Sequence, residues 1–136
     1  MDGINTCLSP VTFRWDHHPR SVGLARRALC ATLSDWGLVT AEDAALVVLS
    51  ELLSNAVVHA QVPPGAQVET RFVRGADEVR IEVHDASPEP PKAVNADGLD
   101  CGGRGLHLVE VLAKSWGTSF RDGPGKVVWA EVSATR

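Results

Sequence analysis

Apolar positions along the chain repeat with two different periods, and the switches between them mark out the elements. Val11, Phe13 and Trp15 alternate with polar neighbours, the period-two signal of a half-buried strand. After Pro19 the period becomes helical. Val22, Ala25, Leu29, Leu33 and Trp36 recur every three or four positions, which predicts a first helix over about 20–36 with Gly37 as its stop. Thr40 with Asp43 three positions on resembles a capping box and opens a second helix that runs to about His59, where Pro63, Pro64 and Gly65 break it. Val68, Thr70 and Phe72 alternate, Gly75-Ala76-Asp77 turns the chain, and Val79, Ile81 and Val83 alternate again, so an antiparallel hairpin is expected. Leu106, Val109, Leu112 and Ala113 form a third helical stripe. Residues 116–121 and 127–132, separated by Gly-Pro-Gly, form a terminal hairpin.

The order is therefore strand, helix, helix, two strands, loop, helix, two strands. Strands joined mostly by hairpins predict a mostly antiparallel, mixed sheet of about five strands with three helices on one face, a two-layer α/β (α+β) sandwich. The other face, carrying Arg71, Arg80 and Glu82, is left to meet solvent or a partner. A chain of 136 residues fits one domain, read as 11–136 behind an N-terminal tail of 1–10. Residues 86–103 hold three prolines and three glycines with no period of either kind. A loop this long inside a small domain is usually functional, and it reads as a flexible lid over about 86–104.

Composition narrows the class. Apolar content of 44% and charged content of 22% are ordinary globular values. A net charge of -4 gives no basic footprint for nucleic acid. No apolar run is long enough to span a membrane, and the N-terminus does not read as a secretion signal. Cys7, Cys30 and Cys101 are widely spaced and odd in number, against a disulfide framework or a zinc site. They read as reduced thiols of a cytoplasmic protein.

The candidate chemistry sits in three places. Glu51, Asn55 and His59 are four residues apart within SELLSNAVVHA, so they line one stripe of the second helix. Asn55 offers a neutral oxygen to Mg²⁺, a cation that prefers one or two protein oxygens plus phosphates and water. Glu51 is placed to accept a proton from an attacking hydroxyl or water, and His59 to orient the site. Asp85 continues the Val79, Ile81, Val83 series, so its carboxylate projects from an apolar face, where it could accept a hydrogen bond from an exocyclic amine such as adenine's. Gly102, Gly103 and Gly105 allow close backbone approach, and the helix that follows offers free N–H groups to phosphate. Each signal alone is more often a solvated helix face, a strand-end turn or a loop; their order and spacing along one short chain carry the weight. A P-loop is excluded, because Gly125-Lys126 is followed by Val127.

These segments resemble a known family. SELLSNAVVHA resembles the N box of the GHKL (Bergerat-fold, histidine kinase-like) ATPases, HDASPEPP their first glycine box, and CGGRGLHLVEVLAKSWG their second. The short length and the terminal GKVVWAEV look most like the anti-sigma factor serine/threonine kinases of the RsbW and SpoIIAB type, in the actinobacterial form. The resemblance runs from about Phe13 to Val132. It implies ATP and Mg²⁺ as cofactors, Glu51 as general base, Asn55 on Mg²⁺ and Asp85 on the adenine amine. It further implies that Gly103, Arg104, Gly105 and Leu106 wrap the phosphates, with His59 and Ser87 beside the nucleotide. The partners implied are an anti-anti-sigma antagonist, phosphorylated on a hydroxyl, and a sigma factor held meanwhile, in partner switching; a homodimer is also common. Arg26 on the first helix is the candidate sigma contact.

The chain departs from the family pattern at Ser87, where the first glycine box usually has glycine, and at Val127 and Val128, where the terminal strand often offers a hydroxyl. Cys101 stands beside the phosphate-binding glycines, as a passive or a redox-sensitive thiol. The alternative reading is a catalytically degenerate ATP-binding or protein-binding regulatory module. A detached histidine-kinase catalytic domain would require a phosphoacceptor helix pair, which the segments read here do not supply.

Overall fold

The computed structural model describes residues 10–59, 65–85, 101–120 and 125–134, with residues 58, 59, 101–105 and 120 described in their backbone only. Strands β1 (Val11–Asp16), β2 (Gln67–Gly75), β3 (Glu78–Asp85), β4 (Ser115–Phe120) and β5 (Lys126–Ser133) form one sheet in the order β1-β2-β3-β5-β4. Helices α1 (Ser21–Trp36), α2 (Glu42–His59) and α3 (Cys101–Leu112) make the second layer. Every neighbouring pair of strands is antiparallel, so the expected mixed sheet is corrected to a wholly antiparallel one. Connectivity explains this. Two helices between β1 and β2 bring the chain back to the end it left. The single crossover through α3 makes β4 run parallel to β3, but β5 inserts between them and is antiparallel to both.

Strand alternation follows the pattern read from the sequence. Val68, Thr70 and Phe72 of β2, and Val79, Ile81 and Val83 of β3, are all within 1% of full burial. They pack with Val128, Ala130 and Val132 of β5 against Ala25, Leu29 and Leu33 of α1 and the apolar positions of α2. α2 is the central helix, packed on α1, on α3 and on the sheet. Its Val48, Leu49, Leu52 and Leu53 are buried to within 2%, and truncating any of them to alanine should cost about 2–5 kcal/mol. β1 is an edge strand. It leaves every second residue exposed, and Trp15 Nε1 donates to Thr70 Oγ1 at 2.9 Å.

Helix ends differ in detail from the sequence reading. α1 begins at Ser21, whose hydroxyl donates to the Asp16 carbonyl at 2.7 Å. It ends at Gly37 as expected, with φ of 72° and the glycine N–H turned back to the Leu33 and Ser34 carbonyls. That left-handed conformation is one glycine adopts without a Cβ penalty. The expected Thr40–Asp43 capping box does not form. A 3₁₀ turn at Val39–Ala41 leads into α2, and the Thr40 hydroxyl instead donates to the Ala134 carbonyl at 2.6 Å. The hydroxyl is thus used as a donor to the end of β5 rather than as an acceptor for the first amides of the helix.

The outer sheet face is laced with ion pairs. Glu69 joins Arg71 at 2.8 Å and Arg14 at 3.3 Å, and Glu82 accepts from Arg80 and from His84, each at 2.8 Å. The His84 hydrogen bond, with Arg80 beside it, holds the Glu82 carboxyl down to about 2 against the opposing effect of burial. Arg80 also reaches Glu131 and stacks over the Trp129 ring at 4.3 Å.

Candidate nucleotide-binding site

One end of the sheet gathers the candidate residues. The antiparallel register brings together the C-terminal ends of β1, β3 and β4 and the N-terminal ends of β2 and β5, so Asp16, Gln67, Asp85, Phe120 and Lys126 share one edge. α2 ends at His59, a short connection before Gln67, which directs its C-terminal half toward that edge. α3 points its N-terminus the same way, because its C-terminus joins β4 at Ser115, opposite Glu131 at the far end of β5.

Asp85 lies where the alternation of β3 placed it, on the core face, with 1% of its surface exposed. A bare carboxylate at that depth is costly. Two groups that the sequence reading did not assign to the site compensate for it. Lys126, its direct partner across the β3–β5 pair, is itself 5% exposed and sets Nζ 3.6 Å from Asp85 Oδ2. His17, just past β1, places Nε2 3.7 Å from Asp85 Oδ1. The sequence held a signal for the lysine: Lys126 is in phase with Val128, Ala130 and Val132, as Asp85 is with Val79, Ile81 and Val83. Nothing local marks His17, which comes to Asp85 through the pairing of β1 with β2.

Glu51 and Asn55 stand one turn apart on α2, both half-buried. Among the described residues neither side chain has a hydrogen bond or ion pair, although the helix around them is packed on nearly every side. Partly covered polar groups without protein partners fit a ligand rather than the core. The neighbouring Ser50 is tied down differently, accepting from Arg26 Nη1 at 2.6 Å and donating to the Leu46 carbonyl at 2.7 Å. Arg26, expected to face a partner, is thus turned inward onto α2, while Arg27 stays exposed.

His59 closes α2, but its side chain lies outside the described residues, and Ser87 lies outside them altogether. Gly103, Arg104 and Gly105 fall in the first turns of α3, which starts at Cys101, so the last four residues of the expected lid are helical. The rest of the lid is outside the described residues. The first amides of a helix have no partner within it, so the backbone at 101–104 presents N–H groups and a positive dipole end, as phosphate requires. Leu106 is buried at 5% exposure and anchors that turn to the core, a packing role beside the site. Val128 is a core residue, and Val127 faces the other side of the sheet opposite His84. The group at the sheet end on the core face is therefore the ammonium of Lys126, where the sequence reading looked for a hydroxyl and found valines.

Similarity to known proteins agrees with this geometry. The Histidine kinase-like ATPase domain family matches residues 16–132, and the chain belongs to that family. Membership implies ATP as the nucleotide. A solved histidine kinase domain, from the blue-light activated histidine kinase of Erythrobacter litoralis EL346, is similar with a TM-score of 0.53 and 23% identity. The match covers 71% of this chain and 46% of that one, so the chain spans less than half of that protein's length. At that identity the shared property is the fold. No match was found among curated proteins.

Proposed function

We propose that this domain is an ATP-dependent protein serine/threonine kinase of the anti-sigma type, similar to RsbW and SpoIIAB. It phosphorylates an anti-anti-sigma antagonist and sequesters a sigma factor when the antagonist is absent. The observation that carries the reading is the pair Glu51 and Asn55, unpartnered among the described residues and one turn apart on the helix whose end meets the Asp85 edge of the sheet. Phosphoryl transfer needs little beyond positioning, charge neutralisation and a base for the hydroxyl, and this set supplies each.

Within that reading Asp85 binds the adenine amine, the first amides of α3 hold phosphate oxygens, and Glu51 takes the proton from the acceptor hydroxyl. Mg²⁺ fits Asn55 as its protein oxygen. Such an ion would be held mainly by phosphates and water. When bound, the ion neutralises charge on the phosphates. Arg20, just before α1, and Arg27 on α1 are exposed and remain available to a protein partner, and no helix among the described residues is long and apolar enough to cross a membrane.

Calorimetry of ATP and ADP binding, with and without Mg²⁺, tests the core of this reading. Mg²⁺-dependent binding that is lost in Asn55→Ala supports it and opens the search for a phosphorylated partner. Absence of binding under every condition moves the assignment to a regulatory module that acts by protein contact.

A further inference from the structure

The two edges of the sheet are protected differently. β1, at one edge, carries Arg14 and Asp16, whose side chains are 72% and 67% exposed. Charges of this kind discourage an edge from adding a further strand. β4, at the other edge, reads Ser-Trp-Gly-Thr-Ser-Phe, with no charge and no proline over its six residues. Its register with β5 runs unbroken from Ser115 to Phe120, so no bulge turns it away either. Among the described residues its one strand neighbour is β5, which leaves the outward backbone groups of β4 open to pairing. The helix beside that edge adds an apolar patch. α3 lies against α2 and β4. Its Leu106 and Val109 are buried, while Leu108 and Val111 on the opposite side stand 40% and 65% exposed. Four large apolar side chains of the described residues are exposed, and these two lie one turn apart next to the unprotected strand. His107 and Glu110, also exposed, flank them.

We propose that this side of the molecule binds a second copy of the chain, with the two β4 strands paired antiparallel about a two-fold axis and the outer faces of the two α3 helices packed together. The charges fit self-association. Two β1 edges brought together would set Arg14 and Asp16 near their own copies, whereas two β4 strands bring no charge to the seam. A two-fold axis also runs the two α3 helices antiparallel, so Leu108 and Val111 of one copy meet Val111 and Leu108 of the other. Glu110 of each then lies on the side of His107 of its counterpart, an acid beside a base at the rim of the apolar contact. Antiparallel pairing matches the rest of the sheet, in which every neighbouring pair is antiparallel. Joining edge to edge satisfies the backbone groups of both copies at once. The interface stands independently of the nucleotide reading.

Sedimentation velocity of the full chain without nucleotide, over a wide range of protein concentration, reads the association directly. Wild type should pass from monomer to dimer as concentration rises, and hydrogen exchange at the β4 amides should slow in the dimer. Thr118→Lys, at an exposed position in the middle of β4, and Val111→Lys on α3 should each weaken the dimer by about ten-fold or more, with the denaturant midpoint close to wild type. Thr12→Lys, exposed on β1, should leave the dimer unchanged. A dimer that survives either of the first two substitutions, or that is lost in Thr12→Lys, overturns the proposal. So does a chain that stays monomeric at every concentration. Slow exchange at β4 in that monomer would mean that another part of the chain covers the edge, and fast exchange would leave the edge to a different protein. If Thr118→Lys does not fold, Val111→Lys decides alone.

Discussion

Arg26 Nη1 of α1 lies 2.6 Å from the Ser50 hydroxyl and 3.3 Å from the Leu46 carbonyl of α2, which fixes the two helices together at the residue next to Glu51. Removing the guanidinium takes away a close hydrogen bond to the Ser50 hydroxyl and a second, longer one to the Leu46 carbonyl, leaving only the Ser50–Leu46 bond within α2. Arg26→Ala should lower stability by about 1–2 kcal/mol, read as a shift in the denaturant midpoint. Arg26→Lys should recover less than half of it, because the lysine ammonium sits on a shorter stem than the single guanidinium nitrogen that makes both contacts.

Asp85 and Lys126 hold one another's charge in the core, so single substitutions should be worse than a paired one. Asp85→Ala leaves the ammonium buried beside Val128 and Ala130 and should cost roughly 3–5 kcal/mol. The double variant Asp85→Ala with Lys126→Met should regain much of that, and a double-mutant cycle on chemical denaturation measures the coupling. Strict additivity of the two losses would mean that the pair does not interact across the strands.

Glu51→Gln keeps the size and polarity of a side chain that has no partner among the described residues. It should leave the folded state and ATP binding close to wild type, while on the proposed kinase reading phosphotransfer falls by about two to four orders of magnitude, the range of a general base. Undiminished transfer in single-turnover labelling would remove Glu51 from the base's role.

Acid stability should depend on Glu82. Its carboxyl is held at about 2 in the folded protein, chiefly by the His84 hydrogen bond and then by Arg80, against an ordinary value of 4.5. A depressed folded value contributes stability that is fully present above about pH 4.5 and is lost as pH falls toward 2; here that is on the order of 3 kcal/mol. Glu82→Gln should be less stable near neutral pH and should flatten the unfolding profile across that window. A profile as steep as that of the wild type would place the acid sensitivity elsewhere.

Gly117 faces Trp129 across the β4–β5 pair, and a Cβ there would come within 2.9 Å of Trp129 Cζ2. Gly117→Ala must displace the Trp129 indole and should cost about 1–3 kcal/mol in thermal unfolding, the usual range for overpacking. Adding Trp129→Leu should relieve most of that cost.

Much of this molecule was legible one element at a time. Burial repeats with the period of the element that carries it, so Val68, Thr70 and Phe72, or Leu29 and Leu33, declared their faces without tertiary knowledge, and Gly37 declared its stop. Glu51 and Asn55 were legible for the same reason, as polar positions in a helix otherwise buried. The capping box at Thr40 misled because its pattern is local, and the Ala134 carbonyl that captured the hydroxyl lies at the other end of the chain.

The sequence by itself determined the elements, their inward faces and the presence of a carboxylate at the end of β3, since those depend on backbone periods and on the preference of apolar side chains for the core. Tertiary structure decided the neighbours. Inserting β5 between β3 and β4 set Lys126 opposite Asp85, and pairing β1 with β2 carried His17 to the same carboxylate. Strand order and register arise from the sum of many long-range contacts, and no window of sequence contains them.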